Sequence, residues 1–270
     1  MRSSRKRADV LTTLALVSML GATLATAGSA AAQRRASARA NPAPSVPGKR
    51  TKDAARHSSD AARALTGVMR VPDKAIPKEL LDGAEAVAVF PGVLKAAFIV
   101  GGRKGQGVVS RRIPATGEWS APAFFNVGGG SFGPQIGGTK TDFVLLIMNE
   151  EGLKGLLEDK FEIGGEAGIA AGPVGRTAGA STNATLDAGI LTYSRSKGAF
   201  IGASLKGVAI TPDNDLNEAF YGKKASDVLS QSIRPSSIPS SVRAFPLALS
   251  RFSAARKTTA NSRIAPCSTG

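Results

Sequence analysis

The sequence predicts an α+β, β-rich protein. Its core is expected to be a curved or barrel-like antiparallel sheet, with an N-terminal helix pair and short helices near 150–159 and 215–221. Three observations carry this. From Glu85 onward, short apolar runs such as AVAVFP, GVVSRR, APAFFNV, FVLLIMN and GILTYS are separated by Gly, Pro, Asn and charged residues, the texture of strands joined by turns. Most of the 31 glycines lie in or between those runs, where a missing side chain lets backbones approach or bend. Helical periodicity is confined to a few segments.

Taken in order, residues 1–32 read as an export signal. Arg2, Arg5, Lys6 and Arg7 precede the apolar VLTTLALVSML, and GSAAAQ offers an A-x-A site at Ala30–Ala32, with cleavage before Gln33. Residues 33–50, basic and rich in Pro and Ala, read as a linker. In 51–70, Ala54, Ser58, Ala61, Leu65 and Val68 recur at helical spacing, with Lys52, Arg56, Arg63 and Arg70 largely off that stripe. The stripe is poor in large side chains, so this helix is marginal alone. IPKELLDGA gives a second helix, with Pro77 in its first turn and Gly83 at its end.

The strand runs follow. The glycine-rich GGRKGQG at 101–107 reads as the turn of a hairpin between AAFIV and GVVSRR. In EEGLKGLLED, Asn149 is the expected N-cap and Glu150 and Glu151 suit the first turn. FEIGGEAGIAAG and AFIGASLKGVAI continue the strands. In DLNEAFYG, Asp215 caps, Glu218 sits three residues on and Gly222 ends the helix. Residues 231–270, rich in Ser, Pro and Arg with no acid, read as a disordered basic tail. The folded domain is therefore placed at 51–230.

The formal charge of +15 would suggest nucleic acid, but its location argues otherwise. Residues 1–57 and 231–270 hold 17 basic and 2 acidic residues. Taken from the chain's 35 and 20, these leave 18 of each for 58–230. A neutral body between basic flanks suits an anionic surface better than a nucleic-acid groove.

Catalytic and metal motifs fail on inspection. Gly128-x-Gly130-x-x-Gly133 matches a dinucleotide fingerprint, but Pro134 and strand-like residues follow where a helix must open. Gly129-x-Ser131-x-Gly133 matches a nucleophile elbow, yet His57 is the only histidine and lies outside the β body. One His and one Cys (Cys267) cannot build a zinc site. Asp213, Asp215 and Asn217 imitate the start of a calcium loop, but Glu218 and Lys224 stand where Gly and Glu are required. No catalytic residue, metal or cofactor is expected.

The opening hairpin carries Arg103, Lys104, Arg111 and Arg112, expected to gather near one end with Lys95, as a patch for phosphate headgroups. The motifs IPKELLDGAEAVAVFP, VLKAAFIVGGRKGQG, WSAPAFFNVGGGSFGPQIGGTKTDFVLLIMN, KFEIGGEAGIAAGPVGR, YSRSKGAFIGASLKG and NEAFYG, in this order, resemble the SYLF domain family. The resemblance implies a non-catalytic, β-rich domain that binds acidic phospholipid, with a basic N-terminal helix in contact with lipid. That adds Lys52, Arg56 and Arg63 to the candidates. It also brings in actin, by analogy with eukaryotic relatives only; the export-like N-terminus points to the cell envelope, periplasm or exterior instead. The expected partner is the anionic phospholipid membrane surface, with no nucleic acid. A scaffolding envelope protein that binds another protein is the alternative, and a serine hydrolase using Ser131 the third reading.

Overall fold

The computed structural model describes residues 48–71, 75–98, 100–132, 137–158, 160–163, 168–174, 188–196, 199–201, 208–231 and 233–255. All belong to one compact unit that begins at Val46. The signal, most of the linker and the last residues of the tail lie outside the described residues.

Nine described strands form one sheet. They are β1 (Ala86–Phe98), β2 (Val100–Arg111), β3 (Ala123–Phe132), β4 (Gly137–Ile147), β5 (Phe161–Ile163), β6 (Ile169–Ala171), β7 (Ile190–Ser196), β8 (Ala199–Ile201) and β9 (Val208–Pro212). The order is β5-β9-β3-β2-β1-β4-β7-β6, with β8 also on β7. The sheet curls into a half-barrel, as the α+β reading expects. It is mixed rather than wholly antiparallel, because β6 runs parallel to β7.

Two glycine features produce local bending. Between Phe90 and Val93 the register of β1 slips against both β2 and β4. Gly92 in this bulge has φ +56, and its N–H donates to Asp142 Oδ1 at 2.7 Å. A left-handed residue is cheapest as glycine. On β2, a Cβ at Gly105 would lie 2.8 Å from Val93 Cγ2 and 2.9 Å from Val127 Cγ1. The GGRKGQG segment is thus strand, not turn: it lies wholly within β2, and the hairpin reverses at residues 98–100. Glycine signals a turn and a close approach alike, and here the second meaning holds.

Helix α1 (Gly48–Met69) buries Ala54, Ala61, Ala64, Leu65 and Val68. It packs on the sheet face that carries Phe124, whose ring lies 6.4 Å from that of His57. The partner that its small side chains require comes from the C-terminus. Two 3-10 turns (Pro235–Ser237 and Ser240–Val242) lead into α6 (Ala244–Phe252), with Val242, Phe245 and Leu249 fully buried. Ser58 Oγ donates to the Val242 carbonyl at 2.7 Å and accepts from the Phe245 N–H at 3.1 Å. This corrects the disordered-tail reading, which weighed Ser, Pro and Arg and overlooked Ile238, Val242, Phe245 and Leu249 recurring at helical spacing. The fold starts at Gly48 and runs to at least Ala255. That span holds 25 basic and 19 acidic residues, so the body is basic rather than neutral.

The remaining helices are α2 (Lys78–Gly83), α3 (Glu150–Leu157), α4 (Asn214–Tyr221) and α5 (Ala225–Ser230). Asn149 caps α3 by accepting from the Gly152 N–H at 2.8 Å. Gly222 ends α4 in the left-handed conformation, φ +66. The cap of α4 is Asp213 rather than Asp215, and Pro77 caps α2 instead of entering its first turn. Asn217, buried, brackets the backbone of Phe124: Oδ1 accepts from its N–H and Nδ2 donates to its carbonyl, both at 2.9 Å.

Candidate functional site

The structure divides the eight candidate cations into three groups. Arg103 and Arg111 are eight residues apart on one strand, roughly 26 Å, so the expected single cluster on the hairpin does not form. Arg111 is mostly buried and pairs with Glu150 at the start of α3. Arg112 is 4% exposed. Its guanidinium donates to the carbonyls of Leu81, Ala84, Gly117 and Ala254 and to Ser253 Oγ at 2.6–3.3 Å, and it lies over the Trp119 ring. Both are internal ties with no reach to a ligand.

The α1 group lies on that helix's outer face. Arg56 pairs with Asp53 at 3.0 Å and Arg63 with Asp60, each one turn away, while Lys52 is exposed. Exposed pairs of this kind contribute a few tenths of a kcal/mol. The apolar side of α1 is occupied by the sheet and α6, so the helix has no spare face to lay into acyl chains.

The third group gathers at the end of the sheet where β1 meets β2. Lys95 stands opposite Arg103 on β2 and Thr139 on β4. Leu94 stands opposite Lys104 and Lys140. Facing residues share a side and neighbours along a strand alternate, so Lys95 and Arg103 occupy one face and Lys104, Leu94 and Lys140 the other. Leu94 is 46% exposed. The bulge at Gly92 puts it there: Phe90 and Val93 both point inward, opposite Phe143 and Thr141. Without the extra residue, Leu94 would share Phe90's side. A one-residue slip reverses every side chain beyond it. Leu94 and Lys140 escape sequence reading for that reason; the Pro91-Gly92 break was the available signal.

Ser131 lies on β3 opposite Gly101, whereas His57 packs on Phe124 of the same strand. Seven residues of strand, roughly 23 Å, separate them, so they do not form a nucleophile–base pair. Burial, then the neighbouring Arg56, holds His57 below its ordinary value of 6.5, against the pull of Asp53, Asp213 and Asp60. Among the described residues no three His, Cys, Asp or Glu side chains group to hold a metal, and no helix is long and apolar enough to cross a membrane. A groove of about 580 Å³ between α1 and α6 is lined by Arg63, Thr66, Arg70, Leu247 and Arg251. Leu247, 53% exposed, is the other exposed large apolar side chain.

Residues 128–251 match the family model described as Ysc84, Las17-binding protein actin regulator. The chain is 37% identical over 168 residues to LAS seventeen-binding protein 3 of Saccharomyces cerevisiae, covering 60% of this chain and 36% of that one. It is 34% identical over 153 residues to SH3 domain-containing YSC84-like protein 1 of Xenopus laevis (56% and 45%). With the Rattus norvegicus protein of that name, identity is 31% over 194 residues (70% and 55%). The chain thus spans about a third to a half of the length of these curated relatives. The family match reaches Arg251, so it takes in most of α6 as well as the strands, and with these relatives it shows that the chain belongs to the SYLF domain family.

Proposed function

We propose that this domain, acting without catalysis, docks peripherally on anionic phospholipid through the β1–β2 end of its sheet. The observation that carries the reading is the cross-strand row Lys104–Leu94–Lys140: an exposed leucine with a lysine on either side. Such a row matches an anionic interface, with the amines at headgroup depth and the leucine beneath them. Each lysine contributes about 1 kcal/mol near such a surface at moderate salt. Burying Leu94 adds about as much again. Three residues give reversible attachment, and the basic α1 face and the flank before it add charge without needing to insert. The export-like N-terminus places this surface at the cell envelope.

Co-sedimentation with neutral and anionic vesicles tests the reading. The full chain is expected to pellet with anionic vesicles only, less so at high salt. Leu94→Asp and the pair Lys104→Glu with Lys140→Glu should each abolish binding. Undiminished binding by both variants would overturn the proposal.

A second reading, a protein-binding module, draws on the α1–α6 groove with its arginines and exposed Leu247, and on relatives named as Las17-binding and as actin regulators. Actin or an actin regulator is the partner those names suggest. Binding through this groove should survive salt better and fail on Leu247→Asp.

A further inference from the structure

We propose that Arg103 and Lys95 form a binding site for a phosphate monoester on the sheet face opposite α1. The site is separate from the Lys104–Leu94–Lys140 row, since alternation along β1 and β2 sends the two sets to opposite sides. Three observations support it. Arg103 faces Lys95 directly across an antiparallel pair, and like charges so placed repel. The Nη1 of Arg103 is buried and has no hydrogen-bond partner, whereas the guanidinium groups of Arg56, Arg63, Arg111 and Arg112 all engage acceptors. A buried donor without an acceptor is costly in a folded protein. Finally, the other neighbour of Arg103 across the sheet is Gly129, and along its own strand face stands Gly101, so no side chain from either position covers the guanidinium.

A ligand that resolves all three must bring acceptor oxygens to a planar fork and neutralise two positive charges. A phosphate monoester does both: it carries nearly two negative charges at neutral pH and pairs with arginine in bidentate fashion. A carboxylate would leave one charge unbalanced. Thr139, exposed opposite Lys95, places a hydroxyl at the rim as a further donor. Free phosphate, a soluble monoester and a monoester lipid headgroup share this chemistry.

The test is calorimetric titration of the full chain with inorganic phosphate at constant ionic strength, with melting temperature followed in parallel. Saturable binding and a raised melting temperature are expected, with chloride inert. Arg103→Gln should weaken binding at least tenfold and Arg103→Lys about tenfold, since the fork is lost while the charge remains. Lys52→Gln should leave it unchanged. No saturable binding by the wild type, or equal affinity in Arg103→Gln, would overturn the proposal. Should Arg103→Gln fail to fold, the wild-type Arg103 Nε–H resonance decides: a shift on adding phosphate supports the site and its absence refutes it. Vesicles of phosphatidic acid distinguish the sources. If phosphate competes with them, the headgroup is a ligand; if it does not, the site serves free phosphate or a soluble ester. Phosphate binding retained in Leu94→Asp would leave this site standing even where the membrane reading fails.

Discussion

The Arg112 guanidinium lies 4.2 Å from the centroid of the Trp119 ring, and both side chains donate to Ser253 Oγ, at 2.6 and 3.1 Å. One buried cation thereby ties the end of β2, the α2 segment and the residues just after α6. Replacing Arg112 with Met strands four carbonyls and a hydroxyl in the interior. A loss of about 3 kcal/mol or more is expected, read as a lower urea midpoint with unchanged slope. Arg112→Lys, which keeps the charge but cannot reach all five acceptors, should lose a large part of it.

Gly107 tests the curl of the sheet. A Cβ there would run into the Val89 carbonyl and the Phe90 ring. Gly107→Ala should cost about 2 kcal/mol or more, while Gly130→Ala, with open space around the new methyl, should cost about 1 kcal/mol or less. Thermal melts of both variants decide; equal costs would show that β2 is not held at that spacing.

The C-terminal boundary is tested by truncation. Ending the chain at Ser230 removes Val242, Phe245 and Leu249 from the α1 interface and leaves Ser58 without its acceptor and donor. Loss of cooperative unfolding is expected. A chain ending at Ala255 should melt like the full length, and Ser58→Ala alone should cost about 1 kcal/mol.

His57 makes stability depend on pH. Its folded pKa lies below 6.5, through burial first and Arg56 second. The unfolded state therefore takes up the proton more readily, and the histidine disfavours folding as pH falls from 6.5 through the folded value. At neutral pH and above this loss is absent. Urea unfolding at pH 7.5 and at stepped values down to 5 should show a decline that is smaller in His57→Gln. An identical pH profile in that variant would contradict the placement.

Much of the fold was legible in short stretches. Asn149 and Gly222 act where their residue types predict, because caps and left-handed stops depend on a few neighbouring backbone groups. The strand runs from β1 to β9 were visible for the same reason. GGRKGQG misled because a glycine cluster states only that side chains are absent. Whether the chain turns there or another strand presses close is decided by Val93 and Val127, residues distant along the chain. The tail misled because polar composition concealed a four-residue apolar stripe.

At the candidate site, Lys95, Arg103 and Lys104 were identified correctly as cations of the β1–β2 end, and Leu94 and Lys140 were missed. Residue types, local periodicity and the ordered motifs determined that this is a β-rich SYLF chain with basic segments. Only the tertiary structure decided which cations meet solvent. Arg112 and Lys104 look alike in sequence, yet the acceptors that enclose Arg112 come from positions as remote as Ala254, 142 residues away. The side on which Lys104 emerges depends on strand register, and the side on which Leu94 joins it depends on the slip at Gly92. A charge's environment is set by whatever the fold brings around it, and pairing register, unlike a cap or a turn, is a property of two strands at once.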